Sequence, residues 1–214
     1  LLWSSAGASW ENLLRGPSIV LTFILFPLVV AAGIVWDEME SGRALLLHSL
    51  QVSRRSFIIG RAVGGLLYCA AGFVLPLSVM GFYFYLGART SLQSALLVPF
   101  YALLYFSYMI SILLFFSTFV RSWGNAAIVV CAQLFCGVAL DALAGRLGGG
   151  ETLLRFGRLI FQGPFRFILL AAQGMPPPFA EIICTVLFGF AFLGLAILFY
   201  RRSEIGAIAG RPAA

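Results

Sequence analysis

The chain has 214 residues, of which 61% are hydrophobic and 10% charged, and its mean hydropathy is +1.00. A soluble domain carries about 25% charged residues to solvate its surface, so this composition disfavours a cytosolic enzyme, a secreted disulfide scaffold and a nucleic-acid reader. The formal charge of +6 comes from 14 basic residues, every one of them Arg. Without Lys there is no intact Walker A phosphate loop and no Lys Schiff base.

The chain starts at Leu1 rather than Met, with a polar stretch within 1–16 and no signal-peptide pattern, and a natural chain longer at its N-terminus is expected. Residues 17–36 then form an uncharged run of about 20 residues, enough to cross a hydrocarbon core of about 30 Å. Pro27 falls inside it, a potential kink. A second run covers 57–87, interrupted early by Arg61 and containing Pro76. A third covers 92–120, a fourth 122–140 and a fifth 182–200. Each run exceeds the length of a barrel strand and none alternates, so all five are expected to be helices. Residues 141–181 differ: Arg146, Glu151, Arg155, Arg158 and Arg166 punctuate apolar pieces too short to span. They are expected to form an outer amphipathic segment of one or two helices, lying at the membrane surface or dipping into it. Cys69, Cys131, Cys136 and Cys184 lie within apolar stretches without a CxxC pair, as buried, reduced, space-filling residues do.

The arginines sit at the ends of the apolar runs, so they report topology rather than a nucleic-acid footprint. Arg43, Arg54, Arg55, Arg61, Arg121, Arg201, Arg202 and Arg211 fall on one side, eight against the six on the other. That side is assigned to the cytoplasm. Residue 1 is then outside, and a cytoplasmic N-terminus requires one further span upstream. The expected architecture is an all-α, polytopic helical bundle, a single transmembrane domain with five membrane helices in this chain and six in all.

The most informative stretch is "WDEMESGRALLLHSLQVSRRSFIIGR", residues 36–61. Asp37, Glu38 and Glu40 leave the first span, Ser41 and Gly42 follow, and Leu45, Leu46, Leu47 and Leu50 give a short amphipathic helix within 37–56. Ser53 has the character of an N-cap for the next span. An apolar ridge between an acidic and a basic end fits a groove in a soluble partner; it equally fits a connecting helix lying on anionic lipid.

This stretch resembles the hallmark of ABC transporter permeases of the type-2 exporter family. In that family an acidic residue and Glu-Ser-Gly-Thr close the second span. A Leu-rich run, a Pro-Val/Leu-Ser-Arg turn and a Gly-Lys start to the third span follow. The chain matches at Glu38, Glu40, Ser41, Gly42, Leu46, Leu47, Val52, Ser53, Arg54 and Gly60, with Arg61 in place of Lys; it departs at Arg43 and Gln51. The ending "FYRRSEI" is similar to the family's basic close of its last span. The nearest flavour is the permease of nitrous-oxide-reductase maturation and its relatives.

The resemblance implies a subunit in the bacterial inner membrane, working as a homodimer or paired permease within the lipid bilayer. Residues Asp37 to Arg54, Arg43 included, would be the coupling helix region that contacts a separate ABC ATPase subunit. ATP and Mg would reside in that partner, with no cofactor or metal and no catalytic residue in this chain. The substrate is not readable.

Other residues are less specific. Gly60 and Gly64 have the spacing of a small-residue helix contact, and Gly189 and Gly194 add to it. Tyr101, Tyr105 and Tyr108 recur at near-helical spacing as a packing stripe, or face a pathway. Asn125 and Gln133 suit either hydrogen bonding between helices or a path lining. His48 reads as a surface residue of the coupling helix and Asp141 as a solvated cap. The sequence holds no HExxH and no Ser-His-Asp set, so intramembrane catalysis has little support. The rival readings are a gradient-driven secondary transporter and a membrane anchor of a complex.

Overall fold

A computed structural model describes residues 10–14, 16–43, 49, 52–87, 90–132 and 163–209. Among these there are helices and no strands. In chain order they are α1 (Trp10–Leu14), α2 (Pro17–Ala31), α3 (Trp36–Glu40), α4 (Arg54–Cys69), a π-helical turn (Ala70–Val74), α5 (Leu75–Leu86), α6 (Leu92–Ser117), α7 (Ser122–Ala132), α8 (Gly163–Ala172) and α9 (Phe179–Ala209).

Four stretches are long and apolar enough to cross a membrane: Leu21–Glu40, Arg54–Leu86, Leu92–Ser117 and Phe179–Tyr200. The expected fifth, 122–140, is described only as far as Ala132. Its remainder, with Gln133 and Cys136, lies outside the described residues, as do His48, Asp141 and the outer segment up to residue 162. The apolar residues are not confined to the interior. Val29 is 86% exposed and Phe190 68%, and an outward face of this kind demands an apolar surrounding such as lipid. These are the features of a membrane protein.

The bundle is built around α6. Within its most apolar window 61% of residues are buried, against 11% for α9, and α4, α5, α8 and α9 all pack on it. Its tyrosines form the packing stripe: Tyr101, Tyr105 and Tyr108 are buried, against the rings of Phe167, Phe23 and Phe192 respectively.

Local chemistry explains several boundaries. Ser53 caps α4, its hydroxyl accepting from Ser56 N–H at 3.1 Å. Ser91 caps α6 through Ser94 N–H in the same way. Pro76 has no N–H to return to the preceding turn. The helix widens just before it, where Leu75 N–H reaches back five residues to Ala70 O, as in a π-bulge. α2 passes through Pro27 and ends at Ala31 instead.

Within 141–181, α8 packs against α6. Phe167, Ile168 and Ala171 are buried, and Ser94 Oγ at the start of α6 donates to Ala171 O at 2.8 Å. Gly174, at φ +74°, ends α8: its N–H bonds Ala171 O and Met175 N–H bonds Leu170 O, a left-handed closure that glycine accepts without strain. α1 sits at this same end, where Trp10 packs on Phe84. α9 begins at Phe179 and continues past the expected end to Ala209.

Candidate functional site

Five of the charged residues singled out in the sequence, Glu38, Glu40, Arg43, Arg61 and Arg121, meet at the opposite end of the bundle. α3 opens with Asp37 and Glu38 in its first turn, where carboxylates complement the helix dipole. Ser41 N–H closes the helix on Asp37 O, and Gly42 N–H bonds Met39 O with φ at +74°. A β-carbon is strained in that conformation, so Glu40-Ser41-Gly42 has a backbone reason to end in glycine.

Glu38 is the centre of the cluster. Its side chain is only 12% exposed. Arg61 Nη2, from α4, donates to its Oε1 at 2.5 Å, and Arg43 Nε lies 3.4 Å from its Oε2. Arg43 Nε also donates to Ser41 Oγ at 3.0 Å. The Arg61 guanidinium lies over the Phe57 ring at 5.4 Å, and Phe57 stacks on Tyr200 of α9. The carboxylate and guanidinium thus link α3 to α4, and the Phe57 ring beneath the guanidinium links α4 to α9.

Glu40 makes a second, weaker link. It accepts from Trp36 Nε1 at 3.1 Å and faces Arg121 Nη2 at 3.6 Å, just before α7. Both partners of that ion pair are exposed, so it contributes at most about 1 kcal/mol.

The other expected contact residues are dispersed. Asp37 makes no ion pair among the described residues. Its carboxylate covers Gly33, where a β-carbon would lie 2.2 Å from Asp37 Oδ2 and 2.8 Å from Ser122 Cβ. Val52 packs against the core edge, Ser53 is the helix cap, Arg54 is half-buried and Arg55 exposed. Leu46 and Leu47 lie outside the described residues. Among the described residues, a β-carbon at Gly60 or Gly64 would meet nothing within 4 Å. Gly65 is the one that packs, facing Ile110 and Val30.

Behind the cluster lies a feature that the sequence reading missed. The first span is not continuous: a turn at 32–35 separates α2 from α3. Val35 N–H and Trp36 N–H both donate to Ser117 Oγ of α6 at 3.1 Å. Asn125 Nδ2 of α7 donates to Ala32 O at 2.6 Å and Leu113 O at 2.9 Å. Ser117 and Asn125 are both fully buried. Two side chains therefore satisfy backbone groups that the break would otherwise orphan in an apolar environment. The available signal was the isolated polar residues within apolar runs; it left Asn125 open between helix-to-helix hydrogen bonding and a path lining, and gave no sign of the break.

No group of three or more His, Cys, Asp or Glu able to hold a metal occurs among the described residues. Comparison of the chain with protein-family models, with curated proteins and with solved structures finds no match.

Proposed function

We propose that the chain is the transmembrane permease subunit of an ABC exporter of the type-2 class, and that a separate ATPase subunit docks on the segment from Asp37 to Arg54. The observation that supports this reading best is the Glu38–Arg61 pair with Arg43 beside it. It ties the start of the proposed docking segment, at the exit of the first span, to the entry of the second span beyond its end. A push on that segment then reaches both spans together rather than bending a loop.

On this reading the permease does no bond chemistry. Two copies, or two related subunits, enclose the path in a bacterial inner membrane. ATP and Mg are held by the partner. Closure of the ATPase subunits displaces the docking segments, and differential contact with the two ATPase conformations shifts the spans between inward and outward access.

The test is purification of the full-length chain from its own cells in mild detergent, with mass spectrometry of what accompanies it and an ATPase assay. Recovery of a Walker-type ATPase, lost when Glu38 and Glu40 are both reversed to Arg, supports the reading. Absence of any ATPase overturns it in favour of a gradient-driven transporter or an anchor.

A further inference from the structure

A cavity of about 270 Å³ lies between α4, α6 and α9. It is a slot rather than a bowl. Its α9 wall runs from Thr185 to Leu193, eight residues or about 12 Å along a helix. The volume exceeds the roughly 150 Å³ that holds a benzene. It is far less than a helix about 10 Å across would displace over that length.

The lining carries no charge. Ser111 on the α6 wall spends its hydroxyl on Ser107 O at 2.9 Å. Thr185 Oγ1 lacks a partner among the described residues but is itself covered, so it offers nothing to an occupant. The slot is continuous with the outward apolar surface already described, for Val63 and Phe190 at its mouth are both exposed. Gly189 leaves its α9 wall bare: a β-carbon there would meet nothing within 4 Å.

We propose that this slot binds a single acyl chain of a bilayer phospholipid, entering sideways between α4 and α9. The lining is mostly apolar, with Ser107 and Tyr108 adding two hydroxyls on the α6 wall, the length and volume admit a polymethylene chain, and the mouth opens on the outward apolar surface. The proposal stands independently of the permease reading, since its test involves no ATPase.

The experiment reconstitutes the full chain in vesicles of phosphatidylcholine and phosphatidylglycerol containing a trace of phosphatidylcholine with a diazirine in one acyl chain. After illumination, adducts are mapped by peptide mass spectrometry. Adducts are expected to concentrate on the slot-lining residues of α4, α6 and α9. The series Gly189→Ala, Gly189→Val and Gly189→Leu should reduce slot labelling stepwise, by about tenfold at Leu, the effect of displacing two or so buried methylenes. Gly64→Leu, equally unobstructed but not lining the slot, should leave it unchanged. Gly189→Ala cannot obstruct packing and guards against a Leu variant that fails to fold. Adducts spread evenly over the outward faces, or slot labelling that persists undiminished through the Gly189 series, would overturn the proposal.

Discussion

Ser117→Ala tests the repaired break in the first span. Ser117 Oγ accepts from two backbone donors, Val35 N–H and Trp36 N–H, each at 3.1 Å, and Val35 is fully buried. A buried donor left without a partner costs about 1–3 kcal/mol, which sets an upper range of about 2–6 kcal/mol for two. Hydrogen bonds between membrane helices, measured by double-mutant cycles, contribute about 0.6 kcal/mol on average and about 1.7 at most, because freed groups find other partners. Two such bonds bring the expected loss to about 1–3 kcal/mol. Asn125→Leu, which removes the bonds to Ala32 O and Leu113 O at little change in volume, should fall in the same range. Both side chains serve one break, so the double variant should be less destabilised than the sum by at least about 0.5 kcal/mol. Unfolding by sodium dodecyl sulfate in mixed micelles, followed by circular dichroism, measures all three. A Ser117→Ala protein within about 0.5 kcal/mol of the parent, or a strictly additive double variant, would refute the idea that these residues hold the break.

Glu38→Arg should destabilise the protein by placing a third cation against Arg61 and Arg43. The reciprocal Glu38→Arg, Arg61→Glu variant should recover about half or more of the loss, read in the same unfolding assay. Gly72→Ala should cost about 1–3 kcal/mol, since a β-carbon there would lie 2.7 Å from Phe26 Cζ. Gly65→Ala should be neutral to slightly stabilising, because its nearest contact would be an ordinary 3.6 Å to Ile110 and alanine favours the helix; equal effects at 65 and 72 would contradict the packing described. Arg121→Ala should change stability by less than about 1 kcal/mol, and its effect should vanish in high salt, as for any exposed pair.

What could be read from the sequence was local. The capping role of Ser53 depends only on Ser56, three residues away, and emerged directly. The apolar runs located four long helices because bilayer length is a property of the run itself. The tyrosine stripe of α6 followed from helical periodicity. The break at 32–35 carries no such signature: the residues are Ala-Gly-Ile-Val, without Pro or charge, and the turn is satisfied from α6 and α7. The burial of α8 was equally hidden, because Arg155 and Arg158 colour the segment while the contact is made by Phe167, Ile168 and Ala171. In the charged cluster, residue types were legible but partners were not. Glu38 and Glu40 look alike in sequence; one is enclosed by two arginines and the other sits in the open.

The break also dictates an order of assembly. Its two donors in α2–α3 wait for a hydroxyl 82 residues further along the chain, and its freed carbonyl for an amide 93 residues on. When the first span enters the bilayer during synthesis, neither has been made. A continuous helix is then the only form that satisfies its own backbone in lipid. The hydrogen bonds that satisfy the turn form only after α6 and α7 arrive beside it. A chain stalled before residue 125 would lack the amide that satisfies Ala32 O.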